Sequence, residues 1–178
     1  MSTRREIKFF TVADFIEEEE WLRRMHNSGW RLVTFTLPCF FVFESCEPED
    51  VIYRLDFKNN SENADYMQML ADYGWEYIGH CVGWLYFRKS AAQLTNESEG
   101  ELFSDNESRI DMLERIMKTR ILPLLIIFIC CVLPNARRAA DSSLGAVFTV
   151  FWGVMIAIYA YLFVHCGTKL RRMKQELE

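Results

Sequence analysis

The stretch from Ser142 to Thr168 constrains this chain more than any other, because it carries no formal charge. A helix crossing the hydrocarbon core of a bilayer needs about 20 apolar residues, and this stretch exceeds that length with His165 as its one basic side chain. A shorter charge-free run, "ILPLLIIFICCVLPNA" from Ile121 to Ala136, precedes it. That run reaches spanning length once Met117 and Arg120 join it and the Arg120 guanidinium reaches back to the headgroups. Only Arg137, Arg138 and Asp141 carry charge between the two runs. The pair reads as a transmembrane hairpin, with spans at 121–136 and 142–168 and a basic tail at 169–178.

Orientation follows from the positive charges near the span ends. Arg109, Arg115, Lys118 and Arg120 precede the first span, and Lys169, Arg171, Arg172 and Lys174 follow the second. Both termini are therefore expected on the cytoplasmic side, with the Asn135–Ser143 loop outside. The N-terminus "MSTRREIKFFTVADF" lacks the apolar core and small-residue cleavage site of a signal peptide. The six cysteines, Cys39, Cys46, Cys81, Cys130, Cys131 and Cys166, form no C-x-x-C and no zinc spacing, so reduced thiols are expected.

The preceding residues are written twice. "MHNSGWRLVTFTLPCFFVF" (25–43) and "LADYGWEYIGHCVGWLYF" (70–87) each leave a helix-like segment, turn at Gly-Trp and enter a run of aromatic and β-branched residues. Each glycine, Gly29 and Gly74, suits the left-handed position after a helix end, and each tryptophan, Trp30 and Trp75, begins a strand. Glu6 to Val12 reads as the first strand. Asp14 with Glu17 forms a capping-box signal for a helix whose inner stripe is Phe15, Leu22 and Met25, with Trp21 at its edge. The four acids Glu17 to Glu20 read as a solvated, dipole-matched helix start.

Strands follow at Trp30–Thr36 and Cys39–Glu44, with Pro38 between them. "VIYRLDFK" (51–58) alternates, placing Val51, Tyr53, Leu55 and Phe57 on one face and Ile52, Arg54, Asp56 and Lys58 on a wet or ligand-facing side. After "NNSENAD", a helix from Ala64 to Tyr73 should turn Tyr66, Met69, Leu70 and Tyr73 inward, followed by strands Trp75–Cys81 and Trp84–Lys89. The fold class is α+β: duplicated βαββ units forming an antiparallel sheet with two helices, followed by a transmembrane helical hairpin. The domain spans 1–90, an acidic polar linker 91–108, and a juxtamembrane amphipathic helix 109–120.

The elements "EEEEWLRRMHNSGW", "VIYRLDF", "YMQMLADYGWEYIG" and "WLYFRK", with the apolar helices after them, together resemble a bacterial domain-of-unknown-function family, number 2812. The resemblance covers almost the whole chain. It implies membrane proteins of Gram-positive type, often encoded beside regulators similar to the PadR repressors, and it carries over no catalytic residue. At the level of fold alone, the duplicated βαββ unit is analogous to bacterial effector-binding domains, which hold small molecules between their halves.

No nucleophile with its base, no metal-ligand spacing and no Gly-rich phosphate loop stands out. His26 reads as a helix-end or surface residue. His80 shares a strand with Glu76, and Asp56 with Glu76 is readable as a carboxylate pair or as part of an ion-pair network with Arg54. Trp84 and Tyr86 alternate with Leu85 and Phe87, so both sheet faces are apolar there and one of them must meet a ligand, a partner or another helix. Arg54, Asp56, Glu76, His80, Trp84 and Tyr86 are the candidate ligand- or partner-binding residues. No catalytic residue, metal or cofactor is expected.

The formal net charge of −5 argues against a nucleic-acid partner. The expected partners are the lipid bilayer and a small molecule, a protein or a second copy of the chain. Taken together, the sequence reads as a non-enzymatic, membrane-anchored regulatory or sensory protein in a bacterial cell membrane. The alternative is a structural or accessory subunit of a larger membrane complex, for which Gly145, Gly153, Ala146, Ala157 and Ala160 offer small helix faces.

Overall fold

The computed structural model describes residues 2–36, 39–58, 64–94, 96–103, 105–139 and 145–177. Pro38, residues 59–63 of the expected cap segment and residues 141–143 of the expected loop lie outside the described residues. The chain divides into two compact units, Met1–Met112 and Leu113–Glu178.

The first unit runs β1 (Thr3–Ile7), α1 (Phe15–Asn27), β2 (Trp30–Thr36), β3 (Phe40–Ser45), β4 (Val51–Phe57), α2 (Ala64–Asp72), β5 (Glu76–Cys81) and β6 (Trp84–Ser90). This is the expected strand–helix–strand–strand order, twice. Each repeat closes its own three-stranded antiparallel sheet, in the orders β1-β3-β2 and β4-β6-β5, rather than sharing one. In both, the last strand of the repeat takes the centre. The duplication extends to defects: β2 is bulged at Val33 and β5 at Ile78, and the spacing between these bulges equals that between Gly29 and Gly74.

The Gly-Trp turns are as the sequence dictates. Gly29 and Gly74 hold φ of +83° and +81°, a conformation that costs glycine little. Their N–H groups donate to the carbonyls of His26 and Ala71, both at 2.9 Å, satisfying carbonyls that a helix end leaves bare. Other boundaries move. The first strand begins at Thr3 and ends at Ile7, because it pairs with β3 from Thr3↔Glu44 to Ile7↔Phe40, and Phe9 is left 74% exposed. The capping box does not form: the Asp14 carboxylate accepts hydrogen bonds from the Thr11 N–H and hydroxyl and makes no side-chain cap.

The two helices do different work. α1 has apolar side chains on two faces and lies against both sheets. Trp21 packs edge-on to Phe41 and Phe43 of the first sheet, with centroids 4.9 and 5.6 Å away. Phe15 meets Trp84 of the second at 5.3 Å. α2 covers the opposite face of the second sheet, where Ile52, Leu85 and Phe87 pack with Leu70 and Trp75. Hence β4 has no wet side: its outward register, expected to face water or ligand, is closed, and Asp56 is wholly buried. α2 presents Leu70, Tyr66 and Met67 to this core, whereas Met69 and Tyr73, expected inward, are exposed. The segment after β6 is no extended linker. It makes 3₁₀ turns at Ala91–Gln93 and Glu97–Gly100, and Ala91, Leu94 and Leu102 pack on the same core.

The second unit is a pair of antiparallel helices. One continuous helix, Asn106–Arg138, is 33 residues long, so the expected juxtamembrane helix and first span are a single element. The other, Gly145–Leu177, is also 33 residues long. Both are long and apolar enough to cross a membrane, and their apolar side chains point outward, as at Val150 and Val164. Phe128 stacks on Tyr159 at 5.4 Å and meets Phe163 edge-on at 5.8 Å. Near the other end Lys174 Nζ reaches Glu114 at 2.9 Å. Two wide π turns, Met117–Ile121 and Phe128–Val132, interrupt the first helix. Each ends two residues before a proline, Pro123 and Pro134. Proline supplies no N–H to the ladder and its ring presses on the preceding turn, and a locally widened turn absorbs both effects.

Alanine at Gly29 or Gly74 should lower stability by about 1 kcal/mol or more, because L side chains disfavour this backbone region. Gly29→Ala should cost the more of the two. A Cβ there would stand 3.1 Å from the Cys46 carbonyl, which is fixed backbone, whereas at Gly74 it would meet the movable end of Gln93 at 3.3 Å. Denaturant midpoints of the detergent-solubilised chain, followed by tryptophan fluorescence, test the ranking, and equal or negligible losses would refute it.

Candidate functional site

Helical geometry places α1's acids where the sequence reading did not. Phe15, Glu18, Glu19, Leu22 and His26 follow the i, i+3, i+4, i+7, i+11 stripe of a buried face, and all five are buried. Glu17 and Glu20 alone of the four consecutive acids are exposed. The Tyr86 hydroxyl donates to Glu18 Oε1 at 2.7 Å. Glu19 Oε1 accepts from the Leu55 N–H at 2.7 Å, and its Oε2 lies 3.3 Å from Arg54. β4 is an edge strand, so Glu19 satisfies an N–H that no neighbouring strand reaches. Arg54 extends the chain to Glu101 at 2.9 Å, and Glu101 to Arg109 at 3.7 Å.

Removing these carboxylates from water raises their proton affinity. Burial pushes Glu18 up to about 7 against the pull of the Tyr86 hydroxyl. It pushes Glu19 up to about 8, against Arg54 and the Leu55 N–H. The Tyr86 phenol is raised as well, by burial and then by Glu18. Glu18 and Tyr86 thus form a buried acid–phenol pair, with the Phe35 ring 4.0 Å from that of Tyr86.

At the Gly-Trp turns the two repeats together enclose a cleft of about 400 Å³. His26, Arg31, Cys46 and Glu49 come from the first repeat and its exit, and Gly74, Glu76, Arg88 and Ser90 from the second. Arg88 grips Glu76 through two bonds of 2.7 and 2.5 Å and also donates to the Leu32 carbonyl at 3.3 Å. Arg31 pairs with Glu44, and the Ser90 hydroxyl with Glu49. His26 Nδ1 lies 2.8 Å from the Tyr53 hydroxyl. Burial, then the nearby Arg88 charge, holds the imidazole below its usual range. The Arg88 hydrogen bonds hold Glu76 below the usual carboxylate range. The cleft is therefore lined by paired side chains of both signs beside the buried His26.

The six residues singled out from the sequence do not converge. Glu76 lines the cleft. Arg54 sits at the β4 edge in the Glu19–Glu101 chain. Asp56 lies beneath α2, with Oδ2 accepting from the Tyr66 hydroxyl at 2.7 Å and ion-paired with Lys58 at 3.6 Å, while Oδ1 has no hydrogen-bond partner among the described residues. β6 separates β4 from β5, so Asp56 and Glu76 form no carboxylate pair. The bulge at Ile78 turns His80 to the face opposite Glu76, where Tyr77 lies 3.2 Å from it. Trp84 and Tyr86 face α1. His26, read as a surface residue, is buried. The stripe spacing from Phe15 through Leu22 was the available signal for Glu18, Glu19 and His26.

Stability should fall as pH rises. Glu18 and Glu19 retain protons in the folded chain that the unfolded chain releases above its ordinary carboxyl range, so their contribution is most favourable below about 4.5 and is lost as pH climbs toward 7 and 8. Glu18→Gln keeps a neutral side chain in place. It should match the native protein near pH 5 and exceed it at pH 8 by on the order of 2 to 3 kcal/mol. Melting curves across that range decide it; parallel pH profiles for the two proteins would count against a protonated Glu18.

No curated protein and no solved structure matches the chain. A family described as "Protein of unknown function (DUF2812)" matches residues 14–125. That match begins at the N-terminus of α1, takes in β2 to β6 and α2, and ends just past Pro123 in the first long helix. With well over half its residues matched, the chain belongs to the DUF2812 family.

Proposed function

We propose that this protein is a non-enzymatic, membrane-anchored regulatory or sensory protein whose α+β unit binds a small molecule or a protein partner. The cleft carries this reading, because neither repeat can form it alone and a bound molecule would contact both. The two long apolar helices supply the anchor. Calorimetric titration of the full chain in detergent against small zwitterionic and cationic compounds, and against a neighbouring regulator, tests the binding role. Ser90→Trp, which fills the cleft mouth, should abolish the heat of any binder found while leaving the melting temperature near that of the native chain. Silence across both panels would sink the sensor reading.

An accessory-subunit role is the second reading. It is favoured by Gly153, where a Cβ would meet nothing within 4 Å, so another helix has room to approach. Affinity purification from native membranes separates the two, since a stoichiometric membrane partner favours the subunit role.

We place the protein in a bacterial cell membrane with both termini cytoplasmic, from the basic residues flanking the spans. In a cysteine-free background, a cysteine at Ser143 should react with an impermeant thiol reagent in intact cells, and one at Ser2 should not. Labelling at Ser2 would reverse the orientation; equal protection at both sites in intact cells and equal labelling after lysis without membranes would remove the spans.

A further inference from the structure

We propose that the loop-side end of the first long helix carries a binding site for an anionic phospholipid. A cavity of about 380 Å³ opens there, lined by Ile129, Leu133, Pro134, Arg137 and Arg138. Ile129, Leu133 and Arg137 all line it, Ile129 within the second π turn and the other two just beyond, so two apolar residues lead to a guanidinium. Both apolar members are exposed. Among the described residues neither arginine has a carboxylate or hydrogen-bond partner, and the Asn135 amide is turned away, donating to the Cys131 carbonyl at 2.7 Å.

Depth gives these features a meaning. At the α-helical rise of 1.5 Å per residue Arg120 and Arg137 would lie about 25 Å apart, a little less through the π turns, which approaches the thickness of a hydrocarbon core. A helix held with Arg120 at one interface therefore brings Arg137 and Arg138 to the headgroups of the other. A guanidinium matches the two free oxygens of a phosphodiester in bidentate fashion. The glycerol end and first methylenes of an acyl chain would then lie along Leu133 and Ile129, in the space beside the Pro134 ring. Two adjacent guanidiniums favour an anionic headgroup that brings no ammonium of its own. Phosphatidylglycerol fits this requirement and phosphatidylcholine does not.

The site requires that the two long helices span a bilayer, which the cysteine labelling decides on its own. Native mass spectrometry of the full chain, with phosphatidylglycerol or phosphatidylcholine of equal acyl length added to the detergent, tests the site itself. The native protein should retain phosphatidylglycerol preferentially. The double variant R137Q/R138Q should weaken that retention about tenfold or more, the loss expected for a charge-assisted hydrogen-bond pair. R171Q/R172Q removes the same charge from the second long helix and should retain the lipid as the native chain does. Leu133→Trp keeps both charges but fills the cavity, and it should also weaken retention. Equal retention of both lipids, equal losses in the two double variants, or full retention by Leu133→Trp would each overturn the site.

Discussion

The position of α1 between two sheets is the constraint on which the first unit depends. A three-stranded sheet with one helix cannot bury both its faces, and here a single helix serves two sheets at once. Trp21 faces Phe41 and Phe43 while Phe15 and His26 face Trp84 and Tyr53. α1 is 13 residues long and α2 is 9, a difference of about one helical turn. The extra turn brings Phe15 and Glu18 onto Trp84 and Tyr86, so the added length is what lets the first repeat's helix close over the second repeat's sheet. The cost is two buried carboxyls, offset by a phenol, a backbone N–H and a guanidinium.

Much of this was legible in the residues. The paired Gly-Trp turns announced the duplication, and the left-handed glycines needed no tertiary information. The β4 alternation gave the strand but misled about its surroundings, because a sheet covered by a helix on each face still alternates when one of its outward residues is an aspartate hydrogen-bonded to Tyr66. The acids of α1 were misread for a related reason. Charge type suggested solvent, whereas the spacing from Phe15 to Leu22 placed Glu18 and Glu19 inside, and spacing governs which face a helical residue occupies. The scattering of the six candidate site residues rests on the bulge at Ile78 and on the strand order, neither of which a local pattern encodes.

The family match ends just after Pro123, soon after the first π turn. The matched part thus contains α1, α2 and strands β2 to β6 with the entry into the first long helix, whereas β1 and the second long helix lie outside it. In the first long helix, proline placement explains a property that composition hides. A chain reading only as apolar acquires two widened turns at defined depths, and each shifts the side-chain stripes beyond it relative to those before it.

The bulges at Val33 and Ile78 have a consequence for how the repeats hold together. β2 and β5 are edge strands that approach one another, yet no ladder joins the two sheets; a bulged edge twists away from pairing. The seam is instead closed by the Phe35 ring 4.0 Å from Tyr86 and by Arg88 reaching the Leu32 carbonyl. Such a seam can slip or widen by exchanging side-chain contacts, with every strand left intact. Arg88 belongs to it and to the cleft at once, so a carboxylate that draws Arg88 away from Leu32 loosens the joint between the halves in the same movement.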